Sequence, residues 1–385
     1  MKQKLIAVAV AGAFAAPAVA LAQSSSVQIY GTINAEYTFA GSQDLSTTTK
    51  SNSWDGLSSG ASNIGFRGEE KLSGGNSAWF QCETDLGFLK GDSDATKAFN
   101  STSNGWCTRN SALGLKGGMG SFFIGTWDSP SKLATGKLRY GNEAGALSVQ
   151  SFLVSNNKGN AAFKATFSAR NANSINWVSP SFNGVTATVQ TTTTSSAKTV
   201  TTAGLKGRST GVMLDYAAGP LTAVVAYQES KDNRADASNA ATAGIKDSAT
   251  IIGGKYKIGN LNFGASYYQL KDQQSTSVET QRNSYNLGAG YKLSGPHAVW
   301  AGYSRAGDIK ANKGTPASGT TGANTGGKVW ILGYTHDLSK RTVAGASYIR
   351  AKNDSNTDAY NLSGTDDAKI GSSSSAFVFN LTHKF

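Results

Sequence analysis

The chain has 385 residues and a formal net charge of +12, and 16% of its residues are charged, against about 25% in average soluble proteins. It has 45 glycines, only 6 prolines, and 39% hydrophobic residues. These values exclude collagen-like repeats and argue against simple disorder. No stretch approaches the ~18 uninterrupted apolar residues that a membrane-spanning helix needs.

The first predicted element is a targeting segment at residues 1–22. Lys2 and Lys4 precede a short apolar run, and Ala20-Leu21-Ala22 fits a cleavage site with small residues. This pattern is typical of a secretory signal peptide, and the run is short for the alternative, an anchoring helix. We therefore expect a mature chain of residues 23–385, folded as a single domain. Loss of the two lysines would lower its net charge from +12 to +10.

A weak alternation of apolar and polar residues begins at Val27 and continues to the end of the chain. Ile29 and Ile33 share the parity of Val27, whereas Gln28 and Asn34 have the other parity. A strand places alternate side chains on opposite faces, so this alternation predicts strands with one apolar and one polar face. The same pattern recurs in segments that start at Ile64, Leu113, Val212, Leu221, Leu261, Tyr285, Val299, Trp330 and Phe377.

The connections between these segments alternate in length. Short turn signals rich in Gly, Pro, Asn and Ser predict tight turns; they lie at 73–75, 117–120, 180–184, 218–220, 258–260, 294–296 and 337–340. Longer polar stretches separate them, for example at 40–61, 90–107, 230–247, 306–327 and 352–373. Two strands for each turn and one more at each terminus predict 16 strands.

An even number of amphipathic strands, with short turns at one end and long loops at the other, favours an outer-membrane β-barrel. In lipid every backbone amide must be paired, so a sheet that spans the membrane must close on itself. The alternatives are a soluble β-sandwich or a β-helix. A sandwich needs an apolar core, whereas the face predicted to lie inside is rich in Gln, Asn, Thr, Lys and Arg.

The sequence resembles the general porins of Gram-negative bacteria, especially the beta-proteobacterial type, over nearly the whole mature chain. The matching motifs are residues 25–31 (SSVQIYG), 62–70 (SNIGFRGEE), 108–115 (TRNSALGL), 338–342 (LSKRT) and 381–385 (LTHKF). The resemblance implies a 16-stranded antiparallel transmembrane β-barrel, with short periplasmic turns, long extracellular loops and a third loop folded into the lumen. It also implies a homotrimer in the outer membrane, in contact with lipid, lipopolysaccharide and, through the terminal Phe385, the barrel-assembly machinery. Phe385 can equally be part of the lipid face of the last strand.

The third loop would run over residues 128–168, the longest gap between strand signals. It contains the acids Asp128 and Glu143 and the bases Lys132, Lys137, Arg139, Lys158 and Lys164, and Arg170 begins the next strand. Rings of Lys and Arg in a pore favour anions. The loop charges therefore predict a mild preference for anions, although each loop lysine can instead be a solvated surface charge.

On the barrel wall, parity places Arg67 and Lys116 inside, together with Glu36, Glu69, Glu83 and Asp85. The predicted constriction residues are Arg67, Lys116, Arg170, Asp128, Lys137, Arg139 and Glu143. Arg109 matches a family motif, but its parity points outward, which predicts a position at the upper rim. Relatives often have arginine where this chain has Asn63 and Thr126.

The two cysteines, Cys82 and Cys107, are predicted to face away from the lumen on neighbouring strands. An oxidising compartment permits a disulfide between them, provided that their Cα atoms lie within about 7 Å. The alternative is two thiols buried at a subunit contact.

The sequence predicts a passive channel for small hydrophilic solutes and ions, with no enzymatic activity, cofactor, metal or nucleic-acid partner. No G-x-S-x-G elbow, H-E-x-x-H helix or P-loop is present. A serine–histidine site in the loops stays open, as does a plugged adhesive or structural barrel. A substrate-preferring porin is a further alternative, for which only Tyr30 and Trp79 offer inward aromatic rings.

Overall fold

The computed structural model describes residues 26–43, 53–89, 105–139, 167–193, 207–232, 244–316, 321–360, 362 and 370–385. Within them the chain forms strands and one α-helix, α1 (Pro130–Leu138). The strands are β1 (Ser26–Gln43), β2 (Ser53–Ser58), β3 (Asn63–Lys71), β4 (Ser77–Asp85), β5 (Ser111–Gly117), β6 (Gly120–Asp128), β7 (Arg170–Val178), β8 (Val185–Thr192), β9 (Arg208–Ala218), β10 (Leu221–Lys231), β11 (Lys246–Ile258), β12 (Leu261–Gln273), β13 (Glu279–Lys292), β14 (His297–Lys313), β15 (Gly327–Asp337), β16 (Thr342–Asn353) and β17 (Ser373–Lys384). In this part of the chain no helix has the length and apolar character needed to cross a membrane.

The strands form one closed antiparallel sheet in which each strand pairs with its neighbours in the sequence. β3 pairs with the first half of β1 and β2 with the second half, so β2 and β3 together make one barrel strand. β17 pairs with β1 and closes the ring. The predicted fold, a 16-stranded antiparallel barrel, is confirmed.

The outer face of the barrel is apolar, as the alternation predicted. Exposed outward side chains include Val27 and Ile29 on β1 and Phe379 and Leu381 on β17. The last residue contributes to this face, because Phe385 and Gly31 each donate a backbone hydrogen bond to the other at 3.1 Å. A Cβ at Gly31 would lie 2.6 Å from the Phe385 ring, so only glycine leaves room for it.

All of the predicted tight turns connect neighbouring strands at one end of the barrel. The long connections lie at the other end. Two connections at that end lie outside the stretches named above: the one between β8 and β9, and the five-residue connection 274–278 between β12 and β13. The loop predicted to start at residue 306 starts only after Lys313. β14 has 17 residues, whereas a transmembrane strand needs about 9–11, so its polar end continues beyond the membrane.

Part of the inner face is apolar, which corrects the expectation of a polar lumen. One apolar patch on β9–β14 lies under α1 and Phe167 and includes Met213, Val224, Ile251, Leu270 and Ile309. A second patch on β14–β17 and β1 lies under the loop between β16 and β17, here called loop 8. It includes Val329, Ile331, Ile349, Ala376 and Val378.

The sequence does contain a signal for these patches. Where a patch lies under an insert, apolar residues stand next to each other and break the period of two. Examples are Val224-Val225, Ile251-Ile252, Trp330-Ile331 and Phe377-Val378, in which one residue faces outward and its neighbour is buried inside. A strand that is apolar on both faces needs a cover on both, so consecutive apolar residues in a barrel strand indicate a lumen insert.

Candidate functional site: the lumen and its inserts

The helix α1 is the first insert of the lumen, and its sequence explains where it begins. Ser129 is the N-cap and accepts a hydrogen bond from the backbone N–H of Lys132 at 3.3 Å, and Pro130 occupies the first turn. Both features favour a helix N-terminus. The buried residues of the helix include Ala134 and Leu138, which lie one turn apart on one face.

Polar contacts and close packing hold α1 against the wall formed by β9–β11. Lys137 Nζ lies 2.9 Å from the carboxylate of Asp215 on β9. At the C-terminal end of the helix, Lys255 Nζ donates a hydrogen bond to the carbonyl of Arg139. A Cβ at Gly253 would lie 2.9 Å from Leu138 Cδ1, so this glycine permits the close approach of the helix. The third loop was predicted to fold into the lumen, and its described residues in α1 do so.

Near the short turns, β1 and β3–β6 line a recess in the lumen wall of about 360 Å³. Two of the predicted constriction residues, Arg67 and Lys116, line it. Lys116 Nζ lies 2.5 Å from the Glu69 carboxylate. Arg67 has neutral partners: its Nε donates to the Gln28 side-chain oxygen at 3.0 Å, and its guanidinium lies 5.0 Å from the centre of the Tyr30 ring.

Arg109 faces the lumen, which corrects the predicted outward orientation. Its guanidinium donates to the inward carboxylates of Glu83 and Asp85, both at 2.5 Å. Residues before Ser111 are not part of β5, and Cys107 has a φ of +65°, so the alternation does not extend back to Arg109. These carboxylates raise the pKa of Arg109, although burial acts in the opposite direction.

Further toward the long loops, Arg170 and Asp128 form a paired centre, as opposite residues on β7 and β6. Arg170 Nε lies 3.0 Å from the Asp128 carboxylate and 3.0 Å from the side-chain oxygen of Asn110. Lys132 on α1 joins Asp128 at 2.9 Å. Burial lowers the pKa of Lys132, and the attraction of Asp128 counteracts this effect.

The charged side chains of the recess, of the Arg109 contacts and of the Arg170–Asp128 centre lie at successive levels along one side of the lumen. They are here called the charged wall, and they do not form a single ring. Arg67 and Lys116 lie near the short turns, and Arg170 and Asp128 lie near the long loops. Lys137 is paired elsewhere, with Asp215. Arg139 is exposed at the end of α1, and Glu143 lies outside the described residues.

The charges of this wall nearly cancel. Among the side chains joined in these contacts, five cations face four carboxylates, which leaves a balance of +1; they are Arg67, Arg109, Lys116, Lys132 and Arg170 against Glu69, Glu83, Asp85 and Asp128. Glu36, a further carboxylate predicted inside, is buried on β1 and accepts hydrogen bonds from Asn34 and Ser58. Arg67 is the member whose partners, Gln28 and the Tyr30 ring, are neutral. Any field that these contacts exert on passing ions is therefore weak.

Loop 8 is a second insert of the lumen, which the sequence analysis did not predict. Tyr360 is fully buried, and its hydroxyl accepts a hydrogen bond from Arg282 Nη1 at 2.9 Å. The base of the loop is fixed by Arg305, which binds both carboxylate oxygens of Asp354. Two inserts, α1 over β9–β12 and loop 8 over β14–β17, thus narrow the barrel.

More aromatic rings face the lumen than the predicted Tyr30 and Trp79. Phe123 lies 5.2 Å from Trp79, and Trp127 lies 4.8 Å from Phe123, as centroid distances. Trp127 has the same parity as Phe123, so the alternation along β6 places both rings inside, and the irregular pairing with β7 leaves this parity unchanged. The rings pack edge to face and Phe123 is buried, which makes them a cluster within the wall and not an open ladder for sugars.

Cys82 and Cys107 are joined by a disulfide, with their Cα atoms 4.6 Å apart. Cys82 stands opposite Phe66 on the outer face of the barrel. The Phe66 ring packs against Trp106 at 5.9 Å. The bond therefore fixes the base of the loop between β4 and β5 at the outside of the barrel.

Replacing both cysteines by serine is expected to leave a closed, conducting barrel. The disulfide closes a chain segment of 25 residues, which constrains the unfolded chain by about 3 kcal/mol, whereas continuous strand pairing holds the barrel itself. The double variant should show an unchanged single-channel conductance and faster proteolysis of the loop at 86–110. Reduced wild-type protein is the control, and loss of the folded barrel in either sample would contradict this expectation.

Comparison with known proteins agrees with this architecture. The family model for Gram-negative porins matches residues 7–356. A comparison with curated proteins finds no match. Among solved structures, the chain is similar to an anion-selective porin from Comamonas acidovorans, with 22% identity, a TM-score of 0.70, and coverage of 94% of this chain and 100% of that one.

Two further solved structures are also similar to the chain. The trimer form of OmpT from Vibrio cholerae has 16% identity and a TM-score of 0.64, covering 94% of this chain and 100% of its own. OmpF from Salmonella typhi, in complex with daunomycin, has 16% identity and a TM-score of 0.61, covering 93% and 97%. Family and fold point to a channel and not to an enzyme. The chain belongs to the Gram-negative porin family, and it is a multi-pass outer-membrane protein that forms a channel for passive diffusion.

Proposed function

We propose that this channel passes small hydrophilic solutes and ions by diffusion, with a mild preference for anions. The observation on which the proposal depends is Arg67, a lumen cation whose partners are the neutral Gln28 amide and the Tyr30 ring. The other wall cations are paired with carboxylates, which reduces their effect on a passing ion. The balance of +1 along the wall favours anions weakly. The similar porin from Comamonas acidovorans is described as anion-selective, and the proposal extends that property to this chain.

We include the predicted constriction in this proposal, with its residues spread over several levels of the lumen. Arg67 and Lys116 would act at the periplasmic level, and Arg170 with Asp128 at the level of α1. Lys137 would hold the helix against Asp215, and Arg139 and Glu143 would add charge to the rest of the loop. An anion would thus move past cations at successive levels, each weakly attractive, which permits exit as well as entry.

We also propose the assembly that the family resemblance implies. Residues 1–22 would be removed as a signal peptide, and residues 23–385 would form a homotrimer in contact with lipid and lipopolysaccharide. The barrel-assembly machinery would read the C-terminal segment that ends at Phe385. A trimer form is known for the similar OmpT of Vibrio cholerae.

Planar-bilayer recording of purified protein tests this function. Insertion of one trimer should open three equal conductance levels, because each barrel has its own lumen. Proteoliposomes should also swell in an isotonic small sugar. A folded barrel that neither conducts nor admits the sugar would overturn the proposal and favour a plugged structural barrel. Single, unlinked conductance steps would overturn the trimer alone.

A further inference from the structure

Two of the three histidines of the chain meet at the periplasmic rim, far from the lumen site. His297 is the first residue of β14, and His336 lies next to the end of β15. They are 39 residues apart in sequence, but the antiparallel register places them directly opposite each other. Their parity matches that of the outward residues Val299 and Tyr334, so the pair lies on the outer face.

The ring nitrogens of the pair point at one another. Nδ1 of His297 lies 3.1 Å from Nδ1 of His336. The Tyr334 hydroxyl oxygen is 2.6 Å from the first nitrogen and 3.4 Å from the second. The two rings stand nearly at right angles, with an interplanar angle of 68°. Three polar atoms thus converge on one small region.

This separation is the one that two imidazoles adopt on a single metal ion. With metal–nitrogen bonds of about 2.0–2.1 Å, nitrogens 3.1 Å apart subtend an angle of about 100° at the metal. That angle lies between the square-planar and tetrahedral values, which Cu²⁺ and Zn²⁺ respectively accept. Only one proton fits between the nitrogens, so at least one of them already presents a lone pair.

We propose that His297 and His336 form a binding site for a divalent transition-metal ion at the periplasmic rim. Both rings would bind through Nδ1 and keep their proton on Nε2, and water or the Tyr334 hydroxyl would complete the coordination. Among the described residues there is no group of three or more His, Cys, Asp or Glu side chains suited to a metal. The pair is therefore a two-histidine chelate, in which the strand register provides the preorganisation.

The site is accessible from the periplasm. Both histidines are half-buried and Tyr334 is exposed. The pair adjoins the short turns at 293–296 and 338–341, so an ion reaches it without crossing the barrel wall. A bound ion would join β14 to β15 at their ends and stabilise the folded barrel relative to the unfolded chain. The inference is independent of the proposed ion preference.

Titration of tag-free protein with Cu²⁺ tests the site. We expect an electron paramagnetic resonance spectrum with coupling to two imidazole nitrogens. His297→Asn and His336→Asn should each lower the Cu²⁺ affinity roughly tenfold or more, because the second imidazole binds intramolecularly once the first is bound. Titration with Zn²⁺, followed by calorimetry, should rank the variants by affinity in the same order as titration with Cu²⁺.

The third histidine is a matched control. His383 lies at the same end of the barrel, but its Nδ1 is 2.9 Å from the Thr342 hydroxyl. His383→Asn should therefore bind Cu²⁺ like the wild type. Tyr334→Phe keeps both histidines, so its Cu²⁺ spectrum should retain coupling to two nitrogens. This variant tests the site even where a histidine variant does not fold. Coupling to a single nitrogen in the wild type, or an equal loss in His383→Asn, would overturn the proposal.

Discussion

Removal of residues 355–370 of loop 8, with a short Gly-Ser connection, is expected to raise the single-channel conductance roughly twofold, because pore dimensions govern conduction. The loop fills the inner side of β14–β17 with Tyr360 and Leu362, both buried. Its loss opens that part of the cross-section, while strand pairing keeps the barrel closed. Planar-bilayer recording of the refolded variant measures the effect.

Two further variants make this test specific. Tyr360→Ala removes only the ring that contacts Arg282, and we expect a smaller rise in conductance with more current noise. Asn356→Ala is the control, because Asn356 is exposed and its side-chain amide donates to the Ala323 carbonyl at the rim. A loop deletion that leaves the conductance at the wild-type value would show that loop 8 does not obstruct the channel.

Replacing both Arg67 and Lys116 by glutamate is expected to reverse the ion preference. At about 8 Å and 0.1 M salt, one charge reversal shifts the energy of a passing ion by ~0.5 kcal/mol. The shifts for anion and cation are opposite, so each reversal changes the permeability ratio of chloride to potassium about fivefold. Reversal potentials across a KCl gradient measure this ratio.

Two further variants, one with a smaller change of charge and one outside the wall, make this test specific. Arg67→Gln should give an intermediate ratio, since it removes one cation without adding an acid. Lys340→Glu makes the same change of charge in the turn between β15 and β16, outside the wall, and should leave the ratio unchanged. If both the Arg67 and Lys116 double variant and Arg67→Gln keep the wild-type permeability ratio, the charged wall does not determine selectivity.

The barrel itself was predictable from the sequence because its determinants are local. Alternating side chains define each strand, and Gly, Pro and Asn define each turn, as at 218–220 and 258–260. The inward position of Arg67 and Lys116 followed from the same alternation. A period of two needs no knowledge of distant residues, so it is readable from one sequence.

The inserts and the histidine pair depend on contacts between distant residues, which alternation cannot reveal. Tyr360 meets Arg282 across 78 positions, and His297 meets His336 only through the strand register. Arg109 was misplaced because it precedes β5, which begins at Ser111, so the alternation along that strand does not apply to it. Phe123 and Trp127 were missed although they share one parity, which places both rings inside. Consecutive apolar residues, such as Ile251-Ile252, were a sequence signal of the inserts, in addition to the long gap at 128–168.

The most direct test of the account is the zero-current potential of wild-type channels across a KCl gradient. The uncompensated charge of Arg67 and the wall balance of +1 predict a modest potential of the sign that favours chloride. A potential that favours potassium would contradict the role given to Arg67 and the charged wall. Absence of current from a folded barrel would contradict the channel itself.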